Sequence, residues 1–117
     1  MKSVLQILEE ARGLIEDPNN WVQGHNAETP NGAHCQPLSP LATRFCTVGA
    51  LCKVLRTNSP GSVSETIAYQ KLAAQVPGFH GPVDFNDQAT HLEVLEMFDG
   101  AIRAERLAEG ERANLEA

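Results

Sequence analysis

Cys46 and His91 are the two side chains in this sequence best suited to covalent chemistry. Cys46 lies in Arg44-Phe45-Cys46-Thr47-Val48-Gly49-Ala50, which reads as helix with small neighbours beside the sulfur. Unpaired N–H groups and the macrodipole acidify a thiol at a helix start, and the thiolate is the nucleophile. His91 opens another helix inside the capping box Thr90-His91-Leu92-Glu93, near the middle of an apolar stripe of Val94, Leu95, Phe98, Ala101 and Ile102. As a base it would need an orienting group, Asn86 or Asp87, with Gln23 donating to an oxyanion. That arrangement would serve a hydrolase or transferase using Cys46 and His91. The plainer reading is a small buried thiol and a core imidazole bonded to a main-chain carbonyl, and the residue types favour it.

A second group is polar without being nucleophilic. Asp84, Asn86, Asp87 and Asp99 lie around the last helix, Asp99 two turns beyond His91, and Trp21 with Gln23 can complete a pocket for a nucleotide-sized or sugar-like ligand. Asp-Phe-Asn-Asp before a helix is first of all turn and capping chemistry. The ligand-binding candidates are Trp21, Gln23, Asn86, Asp87, His91 and Asp99. His25, His34, Cys35 and His80 are the residue types that hold zinc, but they lack its paired short spacings, so no metal and no cofactor is expected. Cys46, Gly49, Ala50 and Lys53 form a small-residue face, and a glycine inside a helix implies that something approaches closely.

These groups must be positioned by a domain of 117 residues, large enough for a core of its own. Ala and Leu dominate the apolar residues and aromatics make up 5% of the chain, which suits packed helices better than a sheet sandwich. A net charge of −6 with scattered basic residues excludes a duplex nucleic-acid binder. No apolar run is long enough to span a membrane, and no secretory leader is recognisable. Three cysteines without paired spacing imply reduced thiols and a cytoplasmic protein, bacterial or in a host cell if phage-encoded.

Helix one follows the capping box at Ser3 and stops at Asp17-Pro18. Residues 18 to 39 are irregular, with Asn31-Gly32 signalling a two-residue hairpin turn between short strands around Val22–Glu28 and Ala33–Leu38. Ser39-Pro40 opens helix two, which Asn58-Ser59-Pro60-Gly61 ends. Helix three runs from the Ser62–Glu65 capping box to Pro77-Gly78, and residues 77 to 89 form a loop. Thr90 then starts helix four. The expected fold is mostly α: a compact bundle of about four helices with a long irregular or hairpin-like connection between helices one and two. Residues 1–108 form a single helical domain, and 109–117 a frayed acidic tail.

Three blocks resemble a small bacterial and phage family of unknown function. They are Trp21-Val22-Gln23-Gly24, then Arg44-Phe45-Cys46-Thr47-Val48-Gly49-Ala50-Leu51, then Asn86-Asp87 with Thr90-His91-Leu92-Glu93-Val94-Leu95, Phe98-Asp99 and Ala101-Ile102. Phe45 stands where that family tends to have tryptophan, and Val22 where threonine is usual. The resemblance implies no activity. It implies that Trp21, Gln23, Cys46, Asn86, Asp87, His91 and Asp99 belong to a common pattern. The expected function is a small non-catalytic binding or accessory protein with a protein or small-molecule partner. A phage-borne protein sequestering a host signalling nucleotide is a weaker alternative.

Overall fold

The structure, a computed structural model, describes residues 1–116. It is mostly helical: six α-helices and a small three-stranded sheet among the described residues. Helix α1 (Val4–Ile15) begins where the sequence predicts, with Ser3 Oγ accepting from Gln6 N and the Gln6 side chain accepting from Ser3 N. It buries Ile7, Leu8, Ala11 and Ile15. A 3₁₀ turn at Pro18–Asn20 follows, capped by Asp17.

The connection after it contains the sheet. Strands β1 (Ala27–Glu28), β2 (His34–Cys35) and β3 (Arg44–Phe45) pair antiparallel in the order β2-β1-β3. The hairpin loop differs from the expected two-residue turn. Thr29 N donates to the Ala33 carbonyl, leaving Pro30, Asn31 and Gly32 as a three-residue loop. Gly32 takes φ 86° at its third position, where a left-handed residue closes such loops.

Helix α2 (Thr47–Leu55) corrects the helix predicted from Ser39-Pro40. Ser39 makes only an isolated turn, its carbonyl accepting from Ala42 N. Arg44 and Phe45 are drawn into extended backbone by the partners that β1 offers, so tertiary pairing overrides local helix signals. The predicted third helix divides in two. Ser59, not Ser62, caps α3 (Pro60–Ser64), with Pro60 at its first position, and Thr66 caps α4 (Ile67–Ala73). Helix α5 (Pro82–Gln88) occupies the predicted loop; Gly81 at φ 115° turns the chain into it, and Pro82 is preset for a first helical position.

Helix α6 (His91–Glu116) opens on the predicted capping box, with Glu93 N donating to Thr90 Oγ1 and Thr90 N to Glu93 Oε1. Its 26 residues span about 39 Å, well over half of the molecule's 52 Å length. Helix α1 packs against both α2 and α6. Leu8, Ile15, Leu51, Leu72, Val94 and Phe98 form the fully buried centre. None of the described helices is long and apolar enough to cross a membrane.

Candidate functional site

Asn86 is the centre of the polar cluster. It sits on the inward side of α5, fully buried. Its Oδ1 accepts from Trp21 Nε1 at 2.9 Å, Thr47 N at 3.0 Å and Thr47 Oγ1 at 2.9 Å. Its Nδ2 donates to the Val22 carbonyl at 3.1 Å and to Asp87 Oδ1 at 3.3 Å. One amide therefore joins the Trp21–Gly24 loop, α5 and the first turn of α2. Burying such a side chain is tolerable only because its carbonyl and amide groups are both satisfied.

The neighbouring candidates complete the same seam. Gln23 Nε2 donates to the carbonyls of Asn86 (3.0 Å) and Ala89 (2.9 Å), taking up acceptors at the carboxyl end of α5. Asp87 Oδ1 accepts from Gly24 N at 2.9 Å. The structure thus brings Trp21, Gln23, Asn86 and Asp87 together, with their polar groups directed at one another. Asp99 lies apart, 2.7 Å from Arg12 Nε, in an ion pair between α6 and α1. This ion pair holds the Arg12 guanidinium above its ordinary pKa.

His91 also faces inward. Its Nε2–H donates to the Ile15 carbonyl at 2.6 Å, one of the acceptors left open at the end of α1, and its ring lies 5.4 Å from the Trp21 ring. This is the carbonyl-bonded imidazole of the plainer sequence reading.

Cys46 is not within α2 but is its N-cap. Its Sγ accepts from Gly49 N at 3.3 Å, and its S–H points to Asn26 Oδ1 at 3.7 Å. No hydrogen bond joins Cys46 to His91 among the described residues. Two opposed effects act on the thiol: burial favours the neutral form, and the Gly49 N–H favours the thiolate. Burial is the larger, and the pKa is raised. Cys52, fully buried behind it, is pushed up to about 11, again by burial.

Gly49 accounts for the small-residue face. A Cβ there would lie 1.8 Å from the Asn26 carbonyl oxygen, which itself accepts from Cys46 N. The visitor is the loop before β1. Asn26 and Thr47 are the members of the seam that sequence reasoning missed. Thr47 sits inside the second block, whereas nothing local marks Asn26.

Among the described residues no three His, Cys, Asp or Glu side chains are placed to share a metal ion. His25 and His34 instead stack at 3.7 Å across the hairpin, and His25 Nε2–H donates to Glu28 Oε2 at 2.5 Å. Arg44 Nη1 donates to the other Glu28 oxygen at 2.9 Å, and this bond, then the one from His25, holds the Glu28 carboxyl below its usual range. His80 is exposed beyond α4, its main-chain N–H donating to Asp84 Oδ2.

Fold and site together define a small helical domain whose irregular first connection is sewn to α5 and to the start of α2 through one buried asparagine. The chain belongs to a family of unknown function, DUF6197, whose family model matches residues 1–104. No curated protein and no solved structure matches it significantly.

Proposed function

We propose that this protein is a non-catalytic binding or accessory protein of a reducing compartment, acting through surface grooves rather than through the Asn86 cluster. The observation that carries this reading is the state of Cys46: a buried thiol with raised pKa, spent as a helix cap. A nucleophile needs the opposite shift and a base within reach. His91 is committed to Ile15, and the amides that would hold an oxyanion or ligand are committed to main-chain groups. Three free cysteines, two of them buried, suit a reducing environment. Iodoacetamide labelling near neutral pH, read by mass spectrometry, tests the reading. The half-buried Cys35 should label first, with Cys46 and Cys52 reacting only as fast as the protein opens. Preferential labelling of Cys46 would restore the Cys/His hydrolase or transferase. In the same reading His91→Ala lowers the melting temperature, because an α1 carbonyl loses its donor.

A further inference from the structure

We infer that the acidic end of α6 docks into the basic groove between α1 and α2 of a second copy of this chain, giving a two-fold dimer by reciprocal exchange. The inference goes beyond the non-catalytic reading and stands whether or not the thiols prove inert.

Consider first the groove. Two adjoining hollows of about 500 and 680 Å³ share Lys2, Val54 and Arg56 between α1 and the carboxyl end of α2. Ile7, Leu14 and Val54 give it an apolar floor, and Lys53 stands beside Arg56. The chain has nine basic side chains. Among the described residues six of them have a carboxylate partner: Lys2, Arg12, Arg44, Lys71, Arg106 and Arg112. Three remain, and two of those three, Lys53 and Arg56, line this one groove. In a protein of net charge −6 that is a local concentration of uncommitted positive charge.

The occupant is argued from α6. Arg12 pairs with Asp99 and Glu9 with Arg106, so α1 and α6 run antiparallel, and α6 continues past the amino end of α1. Beyond Arg106 no side-chain hydrogen bond or ion pair ties it to another element among the described residues; the partner of Arg112, Glu105, is on α6 itself. Leu107 and Leu115 are 65% and 88% exposed. At about 100° per residue Leu107, Ala108, Glu111 and Leu115 share one side, while Glu109 and Glu116 fall on the opposite one. A ten-residue helical extension has little stability in water without a surface to pack on. Its leucines match the apolar floor, and Glu111 on the same side matches Lys53 and Arg56. The groove runs along α1 from Leu14 to Met1 and opens at the end of the molecule where α6 overhangs, so two copies meeting at that end satisfy both contacts twice, in a closed isologous arrangement.

Sedimentation equilibrium on the full chain tests this with two charge-reversal variants. Lys53→Glu/Arg56→Glu reverses the groove, and Glu111→Lys reverses the contact side of the tail. The natural chain should show a monomer–dimer equilibrium that weakens with added salt. Each variant alone should weaken it about tenfold or more. An equimolar mixture of the two should recover the dimer, because each tail then meets a groove of opposite sign. Arg56→Gly guards against misfolding as the cause: Arg56 sits at φ 58°, so glycine relieves backbone strain there and should raise the melting temperature while still weakening association. A chain monomeric up to about 1 mM, or a dimer indifferent to both reversals, overturns the inference. So does a monomer that takes up inorganic phosphate at Lys53 and Arg56, which would assign the groove to a small anion.

Discussion

Asn86 Oδ1 lies 3.0 Å from the main-chain nitrogen of Thr47, so a residue of α5 caps the first turn of α2. Helix starts leave N–H groups without partners, and a nearby side chain in the sequence normally satisfies them. Here the work is divided. Cys46 Sγ takes the Gly49 N–H from within the chain segment, and Asn86 takes the Thr47 N–H from 39 residues away. The start of α2 therefore depends on the packing of α5 and the Trp21–Gly24 loop.

Asn86→Ala should consequently be among the most damaging single substitutions. It strands Trp21 Nε1, Thr47 N and the Val22 carbonyl in a buried site, each costing about 1–3 kcal/mol. A loss of at least about 3 kcal/mol is a large part of the stability of a domain this size. Urea unfolding followed by Trp21 fluorescence measures it, and Trp21 is the chain's lone tryptophan. A loss below about 1 kcal/mol would mean that water replaces the amide without penalty and that the seam is not structural.

Gly49→Ala sets two effects of opposite sign against each other. Alanine is the better helix residue by about 1 kcal/mol, so helix propensity alone predicts stabilisation. The added methyl would sit 1.8 Å from the Asn26 carbonyl oxygen, which is main chain and cannot swing away. Overpacking of that kind costs typically 1–3 kcal/mol or more, and the Asn26–Cys46 bond goes with it. Net destabilisation is expected in thermal melts, and a raised melting temperature would refute the close approach.

How much of this was legible follows the range of the interactions. The starts of α1 and α6 are written within four residues, in Ser3–Gln6 and Thr90–Glu93, and both caps form as read. Phe45 falls on an apolar spacing compatible with helix, but the conformation of Arg44 and Phe45 is decided by Ala27 and Glu28, more than fifteen residues earlier. Helix α5 was obscured because Asp-Phe-Asn-Asp is equally good turn chemistry. At the site, Trp21, Gln23, Asn86 and Asp87 stand out as a polar group needing partners. That they serve as one another's partners depends on three segments meeting, and no local spacing encodes that.

The cap role of Cys46 separates two substitutions that a catalytic thiol would treat alike. Cys46→Ser keeps an acceptor for Gly49 N and a donor for Asn26 Oδ1, and serine is a favoured N-cap. It should stay within about 1 kcal/mol of the natural chain. Cys46→Ala keeps neither and should lose about 1–2 kcal/mol. Circular dichroism melts of the pair decide the matter. Equal stability of the two would show that the sulfur contributes no cap.

Alkaline pH should weaken the fold through its buried thiols. In the unfolded chain a cysteine ionises near pH 8.5. Folded Cys52 holds its proton up to about 11 because burial disfavours the thiolate, and Cys46 shifts in the same direction. The native state then binds more protons than the unfolded state, so stability is fully present below about 8.5 and falls as pH rises from there toward 11. Melting temperatures at pH 7 and pH 10 should differ in the natural chain, and the gap should narrow in Cys52→Ala despite that variant's smaller core side chain. An unchanged gap would place the alkaline-sensitive group elsewhere and leave Cys52 without a part in the pH response.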